Sequence, residues 1–342
     1  MGVVKKLPQI ILLIITTWFA WVVFNRRSEL YDIFETFIAG DWRWIFAALL
    51  AQLVYLLVFT KVYQQCFSLL KIEIPFKNLF AVMFASIFAN LAPTGGTTGA
   101  ALFINEAARR NNSVARASIG ALLVQITDYI IFMFIVFFGA ANLFFANTLR
   151  SYQIIAVILL IIFIFLMVMT LFLSNWNQRL AEKFLKIVQN IINKFANIFT
   201  KHDSLQSKWY LQTTAELQNA SQTIVKSPKR VSVILLTSIF THGANIATLL
   251  FLFLAFNEDI AFGILISGYS FSFLFSEISI TPQGIGVVEG VMILVFVSLG
   301  FTVEKATLVS LGFRGLNLWL PLFIGFIIFR RLKMFENKTN IK

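Results

Sequence analysis

Charge is scarce in this chain of 342 residues. Asp, Glu, Lys and Arg together make up 13% of it, about half the share of an ordinary soluble domain. Cysteine is nearly absent: Cys66 stands alone, which excludes a disulfide framework and a thiolate metal cluster. The two histidines, His202 and His242, are far apart in sequence and offer no metal-ligand spacing. No metal or other cofactor is expected. Two of the six prolines fall in matching places, described below.

Hydrophobic residues fill the space that charge leaves. They make up 58% of the chain, and the mean hydropathy is +0.82. This composition predicts a polytopic membrane protein whose hydrophobic segments use nearly the whole length, with no soluble catalytic domain attached. The net charge of +12 suggests nucleic acid at first. Basic loops facing anionic lipid headgroups explain it better, so membrane lipids are the expected partners and nucleic acid is not. The composition does not specify an oligomeric state.

A full span needs about 20 mostly apolar residues. Six such stretches are present, at 7–24, 44–60, 118–139, 153–173, 231–256 and 305–329. The first follows a charged leader, but Trp18, Trp21, Phe24 and Asn25 stand where a cleavage site would want small residues. It is read as an uncleaved helix. Two further apolar segments are interrupted, one by Pro93-Thr94-Gly95-Gly96 and the other by Pro282-Gln283-Gly284-Ile285-Gly286. The arms of the first, Leu79–Leu91 and Thr98–Ala108, would reach only about 20 and 16 Å as helix, short of a ~30 Å hydrocarbon core. The first is read as a re-entrant hairpin; the arms of the second are longer and could nearly cross, and either way the chain returns to the side it left. Broken helices at membrane depth occur where protein or a wet cavity lines the freed backbone groups. A matched pair in two halves of a chain points to a transport site.

The basic residues assign sides. With the N-terminus inside, 22 of the 28 lie in inner segments. Arg26, Arg27, Arg43, Arg150 and Lys305 lie outside, and Arg314 alone falls within a span. Acidic residues, among them Glu29, Asp32, Glu35, Glu258 and Asp259, collect in the outer loops. This asymmetry predicts that both termini are cytoplasmic, in the cell (inner) membrane. Residues 1–150 and 151–342 then share one plan in opposite orientation. The expected fold is an all-α integral membrane protein with six full transmembrane helices and two re-entrant hairpins, in two inverted-topology repeats.

The second repeat includes a cytoplasmic loop, 174–230. In it Trp176, Leu180, Phe184, Ile187, Ile191, Phe195 and Ile198 recur at helical spacing, with Arg179, Lys183, Lys186 and Lys194 off that stripe. This is a basic amphipathic helix suited to the inner membrane surface. A weaker stripe runs Leu205, Trp209, Thr213, Leu217, Ala220 and Ile224, and stops at Pro228. A lipid-sensing gate is one reading of the loop; a docking linker between repeats is the plainer one.

Charge within the membrane is costly and faces a cavity or a partner. The candidates are Asp128, Glu277, Glu289, Arg314 and Glu106. Glu289 opens a half-helix, where it would cap frayed N–H groups or take a direct substrate or proton role. Arg314 needs a counter-charge, with Glu289 or Asp128 the natural choice, and its guanidinium suits phosphate. Aligning 117–128 with 306–317 matches Gln125 to Arg314 and Asp128 to Asn317; likewise Pro93 matches Pro282, and Ala100 matches Glu289. His242 and Asn245 share a helix face and would line the cavity or bond helix to helix. The run Thr94, Gly95, Gly96, Thr97, Thr98 lacks the Lys and the strand of a nucleotide-binding loop. It remains an anion-friendly helix start with hydroxyls. The candidate substrate-binding set is therefore Arg314, Glu289, Asp128, Gln125, Asn317, Thr94–Thr98, Pro282, Gln283, Gly284 and Gly286.

The pattern Pro282-x-Gly284-x-Gly286-x-x-Glu289, then Leu299-Gly300, Arg314, Trp319-x-Pro321 and Gly325, resembles the closing half of the lysylphosphatidylglycerol synthase transmembrane family. Thr94-Gly95-Gly96-Thr97-Thr98-Gly99 resembles the Pro/Gly-rich segment of that family's first half. Members often carry an acid and an arginine just after it, where this chain has Ala100 and Ala101. The resemblance implies a flippase-like domain without the aminoacyl-transferase domain of fused relatives. A lipid flippase that is not an enzyme is therefore expected. The alternatives are a membrane-embedded transferase on a lipid-linked substrate, or a non-catalytic membrane partner.

Overall fold

A computed structural model describes residues 17, 21, 24–91, 97–200, 209–279 and 281–331. Every regular element among them is helical. In chain order they are α1 (Arg27–Ala39), α2 (Trp42–Leu69), α3 (Phe76–Ala89), α4 (Thr97–Ala108), α5 (Val114–Phe145), α6 (Ser151–Trp176) and α7 (Gln178–Thr200), then α8 (Trp209–Lys226), α9 (Pro228–Ala255), α10 (Phe262–Ile278), α11 (Val287–Ser298), α12 (Val303–Arg314) and α13 (Leu320–Arg331).

The helix starts carry ordinary local signals. Asp41 accepts from the Arg43 N–H at 2.9 Å ahead of α2. Ser113 caps α5, Thr302 caps α12, and Pro228 opens α9.

Among the described residues, five helices are long and apolar enough to cross a membrane: α2, α5, α6, α9 and the stretch Val303–Phe329. The first expected span, 7–24, falls almost wholly outside the described residues. The last is not the uninterrupted helix expected at 305–329. A π turn, Gly315–Trp319, joins α12 to α13, and the Leu320 N–H bonds five residues back to Gly315 O. Pro321 follows; it has no N–H for the carbonyl of Asn317, and its ring crowds that position. A widened turn relieves the crowding.

The two interrupted segments are helical hairpins. α3 and α4 pack together, as do α10 and α11. At 1.5 Å per residue the arms are about 21, 18, 25 and 18 Å long, each under a ~30 Å core. α3 crosses α13 and α10 crosses α5, while α2 and α9 share the most extensive interface. Exchanging α2 with α9, α3 with α10, α4 with α11, and α5 with α12–α13 leaves this set of pairings unchanged. Each crossing needs a glycine. A Cβ at Gly325 would sit 2.2 Å from Phe84 O, and one at Gly139 2.3 Å from Ser270 Oγ. Close backbone approach is how apolar helices associate without help from water.

Among the described residues of the 174–230 region, α7 and α8 lie between the end of α6 and the start of α9. On α7 the apolar residues Leu180, Phe184, Ile187 and Ile191 are exposed, while Ala181 and Leu185 are buried. The side chains of Phe195 and Ile198 lie outside the described residues. The weaker stripe of α8 is not a surface stripe. Thr213, Leu217 and Ala220 are buried where α8 packs on α5, α6 and α7. Arg116 ties α8 down, donating to both carboxylate oxygens of Glu216 at 3.0 and 3.1 Å.

Candidate functional site

The break between α10 and α11 brings charge into the interior, where Arg314 and Glu289 are both buried. Three residues there take positive φ: Gln283 at 56°, Gly284 at 63° and Gly286 at 84°. Gly284 is required twice, since a Cβ would also meet Ser276 Oγ at 2.3 Å. Gln283 has no such freedom and is anchored from both sides. Its amide Nε2 donates to Ile87 O at 2.8 Å, and its own carbonyl accepts from Arg314 Nη2 at 3.0 Å. The first of these bonds reaches the end of α3, so the second hairpin's tip touches the first hairpin.

Glu289, on the first turn of α11, serves two partners. Its Oε2 accepts the Gly286 N–H at 2.7 Å, and its Oε1 accepts from Arg314 Nε at 2.5 Å. One carboxylate thus caps the half-helix and supplies the counter-charge of Arg314. The pair is almost sealed: the side chains of Arg314 and Glu289 are 3% and 9% exposed.

Asp128 is not the counter-charge of Arg314. Its Oδ1 faces His242 Nε2 at 3.3 Å, because α5 packs here on α9. His242 Nδ1 in turn meets Tyr269 Oη at 2.9 Å. Asn317, expected at the depth of Asp128, donates instead to Asn245 Oδ1 at 3.0 Å from within the π turn. Tyr129 Oη donates to Glu277 Oε2 at 2.6 Å. Gln125 is half-buried one turn before Asp128 on α5. The polar candidates thus divide into an arginine–glutamate cluster at the tip and an aspartate–histidine cluster between α5, α9 and α10. Glu106 belongs to neither; it accepts from Asn78 and Arg110 at the base of the first hairpin.

Thr94, Gly95 and Gly96 lie outside the described residues, and the backbone of Thr97 opens α4. Thr98 is half-buried in that first turn. The side chain of Asn90 closes this hairpin, accepting from the Gly99 N–H at 2.6 Å.

Two residues of the tip cluster were expected in an outer loop. Arg26 lies beside Gly286, with a guanidinium nitrogen 3.4 Å from where a Cβ would stand, and donates to Glu29 Oε2 at 3.3 Å. Glu29 Oε1 accepts from Trp319 Nε1 at 3.3 Å and lies within the field of Glu289 and Arg314. A polar run reads as loop, yet 27–39 is helical because Ile33 and Thr36 are buried as α1 packs on α12. The spacing of Glu29, Ile33, Thr36 and Phe37, one helix face, was the available signal. Ile33 and Phe37 press on Gly315, whose absent Cβ would lie 2.7–2.8 Å from them.

The cluster has one open side. Thr281, Gly286 and Arg26 are exposed. The Arg26 side chain is 44% exposed, so its guanidinium has donors to spare. A separate groove of about 450 Å³ between α1 and α12 is lined by Asp32, Glu35 and Glu304 among others. Its three carboxylates disfavour an anion.

Comparison with known proteins agrees with this architecture. Residues 9–325 match the family described as the lysylphosphatidylglycerol synthase TM region. The UPF0104 membrane protein PH1989 of Pyrococcus horikoshii is 26% identical over 326 residues, covering 93% of each chain. Five helices fit to cross a membrane and a family match spanning nearly all of the sequence make this a multi-pass membrane protein that belongs to the lysylphosphatidylglycerol synthase transmembrane-region family.

Proposed function

We propose that the protein is a flippase-type translocator, not an enzyme. It moves a phosphate-bearing lipid between the leaflets of the cell membrane: a phospholipid, an aminoacylated phosphatidylglycerol or a polyprenyl phosphate. The carrying observation is the Arg314–Glu289 pair, buried at a broken-helix tip with the exposed Arg26 beside it. An arginine at mid-membrane costs about 2.5–3.5 kcal/mol on insertion scales, so a buried Arg314 with a second, exposed arginine beside it at one glycine-rich tip favours an anionic ligand. Arg26 makes first contact with the phosphate. Arg314, held by Glu289 and Gln283 O, offers its remaining N–H groups from beneath.

The frame for this reading is an inverted repeat. The exchangeable pairings of the two halves and the short hairpin arms support re-entrant segments that enter from opposite faces and meet near the midplane. Residues 7–24 supply the sixth span, and both termini and the 174–230 region lie on the cytoplasmic side. The exposed apolar stripe of α7 then rests on the inner leaflet.

The test is a leaflet-exposure assay on purified protein in liposomes carrying a fluorescent lipid of each class. At least one class should reach the outer leaflet faster than in protein-free liposomes. Arg314→Lys, which keeps the charge but loses the planar fork, should slow it. Equal rates with and without protein for every class would overturn the proposal.

A further inference from the structure

The aspartate–histidine cluster lies apart from the Arg314–Glu289 pair, and its hydrogen-bonding groups lead from a half-buried Asp128 towards the tip. His242 on α9 is buried, its ring stacked 5.7 Å from Phe132. One ring nitrogen faces Asp128 Oδ1 at 3.3 Å, the other Tyr269 Oη at 2.9 Å. Tyr269 lies within hydrogen-bonding reach of Asn245. Asn245 Oδ1 accepts from Asn317, three residues beyond Arg314. The chain therefore runs Asp128, His242, Tyr269, Asn245, Asn317, across α5, α9, α10 and the π turn. Its first member is reachable, since the Asp128 side chain is 22% exposed against 9% for His242.

We propose that Asp128 and His242 form a proton-binding site and that its occupancy is coupled to the arrangement of the tip. A histidine beside a carboxylate is the side chain best placed to change charge between about pH 5 and 8. The other titratable groups facing the pair are Tyr55 and Tyr63 of α2, Tyr129 of α5, and Tyr269 and Glu277 of α10.

The coupling follows from donor and acceptor bookkeeping. Neutral His242 donates one N–H to Asp128 and accepts the Tyr269 hydroxyl at Nδ1. Tyr269 Oη is then free to accept from the Asn245 amide. A proton entering past Asp128 places a hydrogen on Nδ1. Tyr269 must turn from donor to acceptor towards His242 and send its own hydrogen to Asn245 Oδ1. That oxygen has a second lone pair, so it then accepts from Tyr269 as well as Asn317, and the Asn245 amide gives up its bond to Tyr269. One proton thus rearranges the bond that steadies the π turn behind Arg314 and the arm of the second hairpin together.

Two measurements test this. The site stands by itself; only its link to lipid movement rests on the translocator reading. The first needs no lipid movement: ¹³C-histidine NMR of the protein in nanodiscs, with His202→Gln leaving His242 as the reporter. The His242 ring signals should respond to pH between about 5 and 8, and Asp128→Asn should change that response. An invariant His242 signal across that range would overturn the site. The second is lipid exposure under an imposed pH gradient. The parental rate should change by up to about tenfold per pH unit, and His242→Gln should lose that dependence. A parental rate that ignores the gradient would overturn the coupling. No lipid movement at all would refute the translocator and the coupling, while the titration still decides the site.

Discussion

Replacing Glu289 by Gln should be among the most damaging single changes in this protein. Gln is the same size, but its amide presents one acceptor and one donor to two donors, the Gly286 N–H and Arg314 Nε. One of those bonds is lost. Arg314, 3% exposed, keeps its charge with only Gln283 O certain to remain. Removing one partner from a buried ion pair costs about 3–5 kcal/mol, because the other charge stays buried and unbalanced. Arg314→Met is different. It removes the stranded cation, and Glu289 keeps its bond to the Gly286 N–H or takes up a proton. The double variant Glu289→Gln/Arg314→Met should therefore recover at least about 2 kcal/mol of the loss. Reversible unfolding of the four proteins in mixed micelles measures the stability cycle, and leaflet exposure in liposomes measures function. All three variants should fail to move lipid. A double variant no more stable than Glu289→Gln would refute the stranded-charge argument. A double variant that moves lipid at the parental rate would show that the pair has no part in receiving the anion.

Arg26→Ala should lower lipid movement by about tenfold or more through loss of a charge-assisted contact, yet change stability by less than about 1 kcal/mol because its ion pair is exposed; a parental rate in this variant would remove Arg26 from the site. Gly325→Ala should destabilise the protein by about 1–3 kcal/mol, since the added carbon would meet Phe84 O at 2.2 Å; unchanged unfolding would mean that the α3–α13 crossing is looser than it looks. In a Cys66→Ala background, Glu73→Cys and Asp259→Cys sit at the bases of the two hairpins, where both residues are exposed. An impermeant thiol reagent on intact cells should label Asp259→Cys and spare Glu73→Cys, and labelling of both from outside would sink the inverted arrangement.

Much of this protein is written in local sequence. Apolar length alone located the spans that became α2, α5, α6 and α9, because a helix in lipid must satisfy its own backbone and needs a fixed length to do so. The Pro282–Gly286 break and the carboxylate three residues later were legible for the same reason: positive φ, the left-handed backbone that glycine favours, and a frayed N-terminus are local requirements. What the sequence could not settle was partnership across distance. Arg26 and Glu29 read as an outer loop until α1 was packed on α12, and Asp128 looked as suitable for Arg314 as Glu289 did until α5 was set against α9. Charges of opposite sign satisfy one another in any order along a chain. Only the crossing of the helices, set by where glycines such as Gly139 and Gly325 let backbones touch, decides which of them meet.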